Sequence, residues 1–239
     1  MKRVSEQEAM DFFNNGYIVR KFEDTQTFRD FKNLLINLRE NQITKEDYMW
    51  VTNKSYRERC QDFKPDIYTY NTQMLDLIFD QRVHEILAEL TGVTDLMLGF
   101  VKLRWNLSGK AYTSWHRDTD YYHAKPKGLT PSIIGLNYYP CLGEVSEPVL
   151  SIWPGSHHRM SRSRFRDQLT VWFEESIKMY TSDDEYLIFD TAMIHDLLPV
   201  QSPRGSLRII SQFAREFQLG LFPGKDNLHK LYREQVLLK

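Results

Sequence analysis

Apolar residues recur at helical spacing through the first ninety or so residues of the chain. A first helix is predicted to begin at Ser5, which forms a capping-box pattern with Glu8, and to end at Gly16. The run GYIVRKF then predicts a short strand. Further helices are predicted over residues 28–38 and between Asn71 and Gly92. The polar and aromatic segment 44–70 predicts a packed loop, with a lid over a site as the alternative.

From residue 94 onward the chain changes to short runs of β-branched and aromatic residues, separated by Gly, Pro, Asn and Ser. The runs that predict strands are DLMLGFVKLRWNL, AYTSWHRD, SIIGLNYYP, PVLSIWP, EYLIFD, AMIHDLLPV and SLRIISQFAR. The run RSRFRDQLTVWFEESIKMY predicts an inserted loop with some helix. We therefore expect an α+β fold in one domain over residues 1–239. Residues 1–93 would be mainly helical support, 94–216 a β-barrel or jelly-roll core, and 217–239 a C-terminal tail or helix.

Composition and charge narrow the class of protein only modestly. Of the 239 residues, 41% are hydrophobic and 26% are charged, as in an ordinary globular protein. The formal net charge of -1 argues against a nucleic-acid surface, and no run approaches the roughly 20 apolar residues of a membrane span. The N-terminus lacks the apolar stretch of a secretory signal. We therefore expect a cytoplasmic protein in which Cys60 and Cys141 remain thiols.

The candidate chemistry centres on the sequence Trp115-His116-Arg117-Asp118. Residues two apart on a strand project to the same side, so His116 and Asp118 can bind one metal ion together. His195, in a later strand-like run, offers a second imidazole. Two imidazoles and one carboxylate on one face of Fe(II) leave positions open for substrate and oxygen. An H-x-D pair alone occurs easily by chance as a surface pair, and Asp120 is an alternative carboxylate ligand.

An arginine follows the remote histidine in the run SLRIISQFAR. Strand alternation places Arg208 with Ile210 and Gln212 on one face. A buried arginine is costly without a partner, so a carboxylate partner is expected, such as that of a dicarboxylate cosubstrate. The alternatives are an edge-strand arginine in water, or Arg204 in the turn-like SPRGS as the anchor.

The motifs WHRD, WPGSHH, FDTAMIH and SLRIIS, within residues 94–216, resemble the phytanoyl-CoA dioxygenase family. The resemblance implies a double-stranded β-helix (jelly-roll, cupin-like) core and an Fe(II)- and 2-oxoglutarate-dependent oxygenase. It further implies that His116, Asp118 and His195 bind iron and that Arg208 holds the distal carboxylate of 2-oxoglutarate. The expected reaction uses O2 to hydroxylate an unactivated C–H bond and releases succinate and CO2. The interval from His195 to Arg208 is slightly longer than is usual in that family.

Further polar residues near these motifs are candidates for contacts with small molecules. Asn106, Ser132 and Asn137 are candidate contacts to the cosubstrate, although each could equally be a turn or ladder residue. Candidate substrate contacts are Arg117, Tyr121 and His123. For His157 and His158, which follow Pro-Gly-Ser, a structural hydrogen-bonding role is favoured over metal ligation.

Two other classes of function stay open from the sequence. One is a cupin-like metal-dependent hydrolase or isomerase, because the ligand types alone do not select iron. The other is a non-catalytic jelly-roll binding module. For the oxygenase we expect a small or medium polar metabolite as substrate and no nucleic-acid or membrane partner.

Overall fold

The structure is a computed structural model that describes the β-rich part of the chain and the helices packed on it. The described residues are 2–23, 26, 29–30, 32–33, 36, 60–62, 80–106, 109, 114–118, 133–141, 145–159, 164–203, 205–215, 230 and 232–237. None of the helices in these ranges is long and apolar enough to cross a membrane.

Local sequence signals account for the two helices whose ends are described ahead of the β core. Helix α1 (Glu6–Asn15) has the predicted capping box at Ser5 and Glu8 and ends at Gly16, whose φ is 83°. Helix α2 (Gln81–Thr91) ends at Gly92 as predicted, but it begins later than expected. Its N-cap is Asp80, whose side chain accepts a hydrogen bond from the backbone N–H of Arg82. The helix therefore begins after Asp80 rather than after the predicted Asn71, which lies outside the described residues.

The strands form two antiparallel sheets. They are β1 (Tyr17–Lys21), β2 (Cys60–Asp62), β3 (Leu96–Asn106), β4 (Ile133–Tyr138), β5 (Pro148–Ile152), β6 (Ile177–Tyr180), β7 (Glu185–Asp190), β8 (His195–Leu197) and β9 (Ser206–Arg215). The larger sheet has the order β1-β7-β4-β9-β3-β2, and the smaller has the order β6-β5-β8. His116 extends the smaller sheet through an antiparallel bridge to His195. These sheets form the predicted jelly-roll core.

Two hydrophobic clusters hold these layers together. One lies between the sheets and joins Leu187 and Phe189 of the larger sheet to Leu150 and Ile152 of the smaller. The other covers the outer face of the larger sheet, where Phe12 of α1 and Leu87 of α2 pack with alternate residues of β4 and β9. The polar residues between them along these strands therefore face the space between the sheets.

Two strands depart from the sequence prediction. The segment predicted as a loop excursion contains strand β2, which pairs with β3. The inserted segment contains helix α3 (Arg164–Phe173), as expected, but its end forms the additional strand β6. At the C-terminus, residues Arg233–Leu237 form a π-helical turn. Cys141 has a reduced thiol, as expected.

Candidate metal centre

Three side chains with metal-ligating atoms meet between the two sheets. The ligand atoms of His116, Asp118 and His195 all lie within 4.8 Å of one another. Oδ1 of Asp118 is 3.4 Å from Nε2 of each histidine, and the two imidazole centroids are 4.4 Å apart. His195 is buried, whereas His116 and Asp118 are half-buried. The structure thus brings together the three residues that the sequence predicts as metal ligands.

Backbone hydrogen bonds between two chain segments hold the cluster in register. The backbone N–H of His116 donates to the carbonyl of His195 at 2.9 Å, and the reverse bond measures 3.0 Å. Two residues further on, the N–H of Asp118 donates to the carbonyl of Thr191 at 3.0 Å. Because this pairing is antiparallel and extended, His116 and Asp118 project toward the same side as His195.

The outer nitrogens of both imidazoles are bound to the backbone. Nδ1 of His116 is 2.9 Å from the carbonyl of Ser114, and Nδ1 of His195 is 3.0 Å from the carbonyl of Met193. A carbonyl only accepts hydrogen bonds, so both Nδ1 atoms must carry the proton. In the neutral imidazoles, both Nε2 lone pairs then point toward Asp118, as required for binding a metal ion.

The electrostatics of the cluster suit a bound cation. Burial opposes ionisation of Asp118, but the charges and hydrogen bonds of His195 and His116 outweigh it and hold the pKa of Asp118 well below its usual range. Burial likewise disfavours charged His195, but the charge of Asp118 and the hydrogen bond to it raise the pKa of His195. The carboxylate therefore stays ionised with positive charge beside it, and a divalent cation can supply that charge.

The Pro-Gly-Ser-His segment supports the strand that carries His195. Oγ of Ser156 accepts a hydrogen bond from the backbone N–H of Ile194 at 2.9 Å and donates to the carbonyl of Trp153 at 2.6 Å. Nε2 of His157 and of His158 lies 3.1 Å and 2.6 Å from the carbonyl of Phe13, respectively. The two histidines thus join this segment to the end of α1 through hydrogen bonds, as predicted.

Arg117 lies between two ligands in sequence but points away from them. Its guanidinium forms a two-point contact with Asp167 of α3, at 3.0 and 2.7 Å, and also donates to the carbonyls of Ser156 and Ala192. The side chain is buried. The substrate contact predicted for Arg117 is therefore incorrect, because alternation along an extended segment turns the middle residue to the opposite side. Arg117 instead ties the ligand segment to α3.

The end of β7 carries a buried carboxyl group at the turn that leads to Thr191. Oδ1 of Asp190 accepts a hydrogen bond from the backbone N–H of Ala192 at 2.8 Å. Burial raises the pKa of Asp190 to about 6. Its protonated form therefore contributes stability that is complete below the unfolded pKa of about 3.8 and is lost as the pH rises through about 6.

Asp190→Asn is expected to stabilise the protein at pH 7.5 by about 1–3 kcal/mol, because asparagine accepts the same hydrogen bond without a buried charge. The free energy of unfolding of the variant and the natural protein, measured by urea denaturation from pH 4 to pH 7.5, checks this. The difference should shrink toward zero near pH 4. A difference that is independent of pH would contradict the expectation.

A row of buried polar residues lines the inner face of the larger sheet beside the cluster. Arg208 of β9 is directly opposite Arg104 of β3, and both are buried. Two pairs further along, Nδ2 of Asn106 donates to Oγ of Ser206 at 3.3 Å. Asn137 of β4 is opposite Ile210 and donates to the hydroxyl of Tyr139 at 3.1 Å. The structure thus places Arg208, Asn106 and Asn137 in this row.

Tyr139 and Arg104 also belong to this region and are not among the candidate site residues named from the sequence. Burial raises the pKa of Tyr139, while the charge of Arg208 and hydrogen bonds to Arg208 and Asn137 oppose the rise. Arg104 carries a second positive charge opposite Arg208. The sequence carries a signal for Arg104: strand alternation in LMLGFVKLRWN places it on the same face as Asn106.

Several predicted residues lie outside the described part of the chain. They are the candidate contacts Ser132, Tyr121 and His123, the alternative ligand Asp120 and the alternative anchor Arg204. Their predicted roles stay predictions.

Comparisons with known proteins support the fold through structure rather than sequence. No family model matches the chain, and no curated protein matches it. EctD from S. alaskensis, solved with 2-oxoglutarate and 5-hydroxyectoine, is similar with a TM-score of 0.68 and 15% identity, over 90% of this chain and 78% of that one. HygX from Streptomyces hygroscopicus, solved with nickel and 2-oxoglutarate, is similar with a TM-score of 0.66 and 14% identity, over 90% of this chain and 88% of that one. The non-heme alpha ketoglutarate dependent epimerase SnoN from nogalamycin biosynthesis is similar with a TM-score of 0.65 and 13% identity, over 88% of this chain and 82% of that one. The chain therefore shares the jelly-roll fold of these proteins.

Proposed function

We propose that the protein is an Fe(II)- and 2-oxoglutarate-dependent dioxygenase that hydroxylates an unactivated C–H bond of a small or medium polar metabolite. The reaction would consume O2 and release succinate and CO2. The observation that carries the proposal is the convergence of His116, Asp118 and His195 within 4.8 Å between the sheets. Two imidazoles and one carboxylate are the ligand set of non-heme Fe(II) oxygenases.

The chain's own residues would bind and orient the reactants. His116, Asp118 and His195 would hold Fe(II), which when bound supplies the activation of O2. Arg208 would pair with the distal carboxylate of 2-oxoglutarate, since a buried guanidinium provides a rigid fork for two carboxylate oxygens. Retention of Asp118 as a carboxylate ligand favours hydroxylation over halogenation, which requires that coordination position for a halide.

The polarity of the inner face supports a polar substrate. Oδ1 of Asn106 and Oδ1 of Asn137 are buried and accept no hydrogen bond from the described residues. Buried acceptors of this kind are commonly satisfied by a ligand or by water. The similar proteins EctD and HygX have been solved with 5-hydroxyectoine and with hygromycin B, respectively. We therefore favour a substrate with several hydroxyl or amino groups.

Substrate-stimulated turnover of 2-oxoglutarate tests the proposal. The protein loaded with Fe(II) is incubated with 2-oxoglutarate, O2 and a panel of polar metabolites, and succinate is quantified. We expect slow succinate release without substrate, faster release with a productive substrate, and a product heavier by one oxygen atom. Absence of succinate release under every condition, or conversion of a panel member without consumption of 2-oxoglutarate, would exclude this function.

A further inference from the structure

Gln212 of β9 contacts the carboxylate of the candidate metal centre from the opposite sheet. Its Nε2 lies 2.6 Å from Oδ2 of Asp118, and the residue is 2% exposed. It lies two positions beyond Ile210 and four beyond Arg208, on the same inner face. This contact thus joins the inner face of the larger sheet to the ligand segment.

The neighbouring strand leaves room for an aromatic ring beside the cluster. Gly135 of β4 is directly opposite Gln212 on one side and Phe189 of β7 on the other. A Cβ atom at Gly135 would lie 2.3 Å from the ring of Phe189. That ring packs edge-on against His195, with centroids 5.4 Å apart. The absence of a side chain at Gly135 therefore leaves room for the ring of Phe189 beside His195.

The two oxygens of Asp118 have different partners. Oδ1 lies 3.4 Å from Nε2 of both His116 and His195, whereas Oδ2 accepts the hydrogen bond from Gln212. An ionised carboxylate only accepts hydrogen bonds, so the amide of Gln212 must present its nitrogen and turn Oε1 away. Oε1 is buried and has no hydrogen-bond partner among the described residues. Leaving a buried acceptor without a donor costs about 1–3 kcal/mol, so the orientation toward Asp118 is retained at a cost to folding.

We propose that Gln212 is a positioning residue that makes Asp118 a ligand through one oxygen only; this inference rests on the proposed function. A carboxylate that binds through both oxygens occupies an additional coordination position. With Oδ2 held by Gln212, that position stays available for 2-oxoglutarate or O2. Hydrogen-bond partners of metal ligands orient the ligand and tune the metal in this way.

The test uses Co(II), whose visible absorption reports coordination, in anaerobic titrations of the metal-free protein. Gln212→Met keeps a side chain of similar length but removes the donor. We expect the dissociation constant for Co(II) to rise about 10- to 100-fold, as is typical for loss of a partner of a metal ligand. We also expect the visible spectrum of the bound Co(II) to change, because Oδ2 becomes able to bind the metal.

Ser211→Ala is the matched control on the same strand. Ser211 is buried on the outer face, and its Oγ donates to the carbonyl of Leu136 at 3.1 Å. This variant also loses one buried hydrogen bond of β9, but it should keep the natural affinity for Co(II) and the natural spectrum. A structural role for Gln212 alone would make the two variants equal in both measurements.

A second variant keeps the proposal falsifiable if Gln212→Met does not fold. Gln212→Asn retains the amide on a side chain that is one methylene shorter, and it should show the same weakened affinity and altered spectrum. If folded variants bind Co(II) with natural affinity and an unchanged spectrum, the role of Gln212 is refuted while the proposed function stands. If the natural protein itself binds no Co(II), the proposed function fails instead.

Discussion

Asp118→Ala is expected to abolish 2-oxoglutarate turnover and to weaken binding of Fe(II) or Co(II) by more than about 100-fold, beyond the range for loss of a supporting hydrogen bond. The variant removes the one anionic ligand, whose Oδ1 lies 3.4 Å from Nε2 of both His116 and His195. It also leaves two imidazoles without the charge that holds a dication. Isothermal titration of the metal-free protein with Co(II) measures the affinity.

Asp95→Ala is the control for this variant. Asp95 is an exposed aspartate immediately before β3 and is not part of the ligand cluster, so the substitution removes the same charge without removing a ligand. Its metal affinity should match that of the natural protein. Tight Co(II) binding by folded Asp118→Ala would show that another carboxylate serves as the ligand, and the corresponding variant of Asp120 would then be the next to examine.

Arg208→Met is expected to weaken binding of 2-oxoglutarate by about 30-fold or more, because truncation of a buried, charge-assisted partner costs about 2–5 kcal/mol. Binding of Co(II) should change little, since Arg208 is not among the ligand atoms. The two effects separate in one experiment, a titration with 2-oxoglutarate of the protein already loaded with Co(II). If the variant loses affinity for both Co(II) and 2-oxoglutarate, the substitution has disrupted the whole site rather than one contact to 2-oxoglutarate.

Arg204→Ala decides between the two arginines that follow His195. Arg204 lies in the turn-like SPRGS, whereas Arg208 is buried within β9, opposite Arg104. We expect Arg204→Ala to keep its affinity for 2-oxoglutarate. If Arg208→Met keeps its affinity for 2-oxoglutarate and Arg204→Ala loses it, Arg204 rather than Arg208 binds the distal carboxylate.

Much of the candidate site follows from strand alternation. Residues two apart share a face, and this rule predicted His116 with Asp118, and Arg208 with Gln212. The same rule, applied to the residue between the ligands, would have turned Arg117 away from the site. What alternation does not give is the distance between segments: the contact of Gln212 with Asp118 joins residues 94 positions apart.

The elements that the sequence missed have weak or competing local signals. Strand β6 has mostly exposed residues, including Ile177 and Tyr180, and it directly follows a helical segment. Strand β2 is only three residues long and depends on its pairing with β3. The start of α2 was misplaced because Asn71 and Asp80 are both good N-caps, and propensity alone does not choose between them. For the two strands, pairing with β3 and β5 decides the outcome.

The most direct test of the central claim is the absorption spectrum of the protein with Fe(II) and 2-oxoglutarate in the absence of oxygen. Chelation of the metal by 2-oxoglutarate at His116, Asp118 and His195 predicts a weak visible charge-transfer band that forms only when both components are present. The band should be absent from Asp118→Ala. No band in the natural protein, or an equal band in Asp118→Ala, would contradict the assignment of these residues as the iron site.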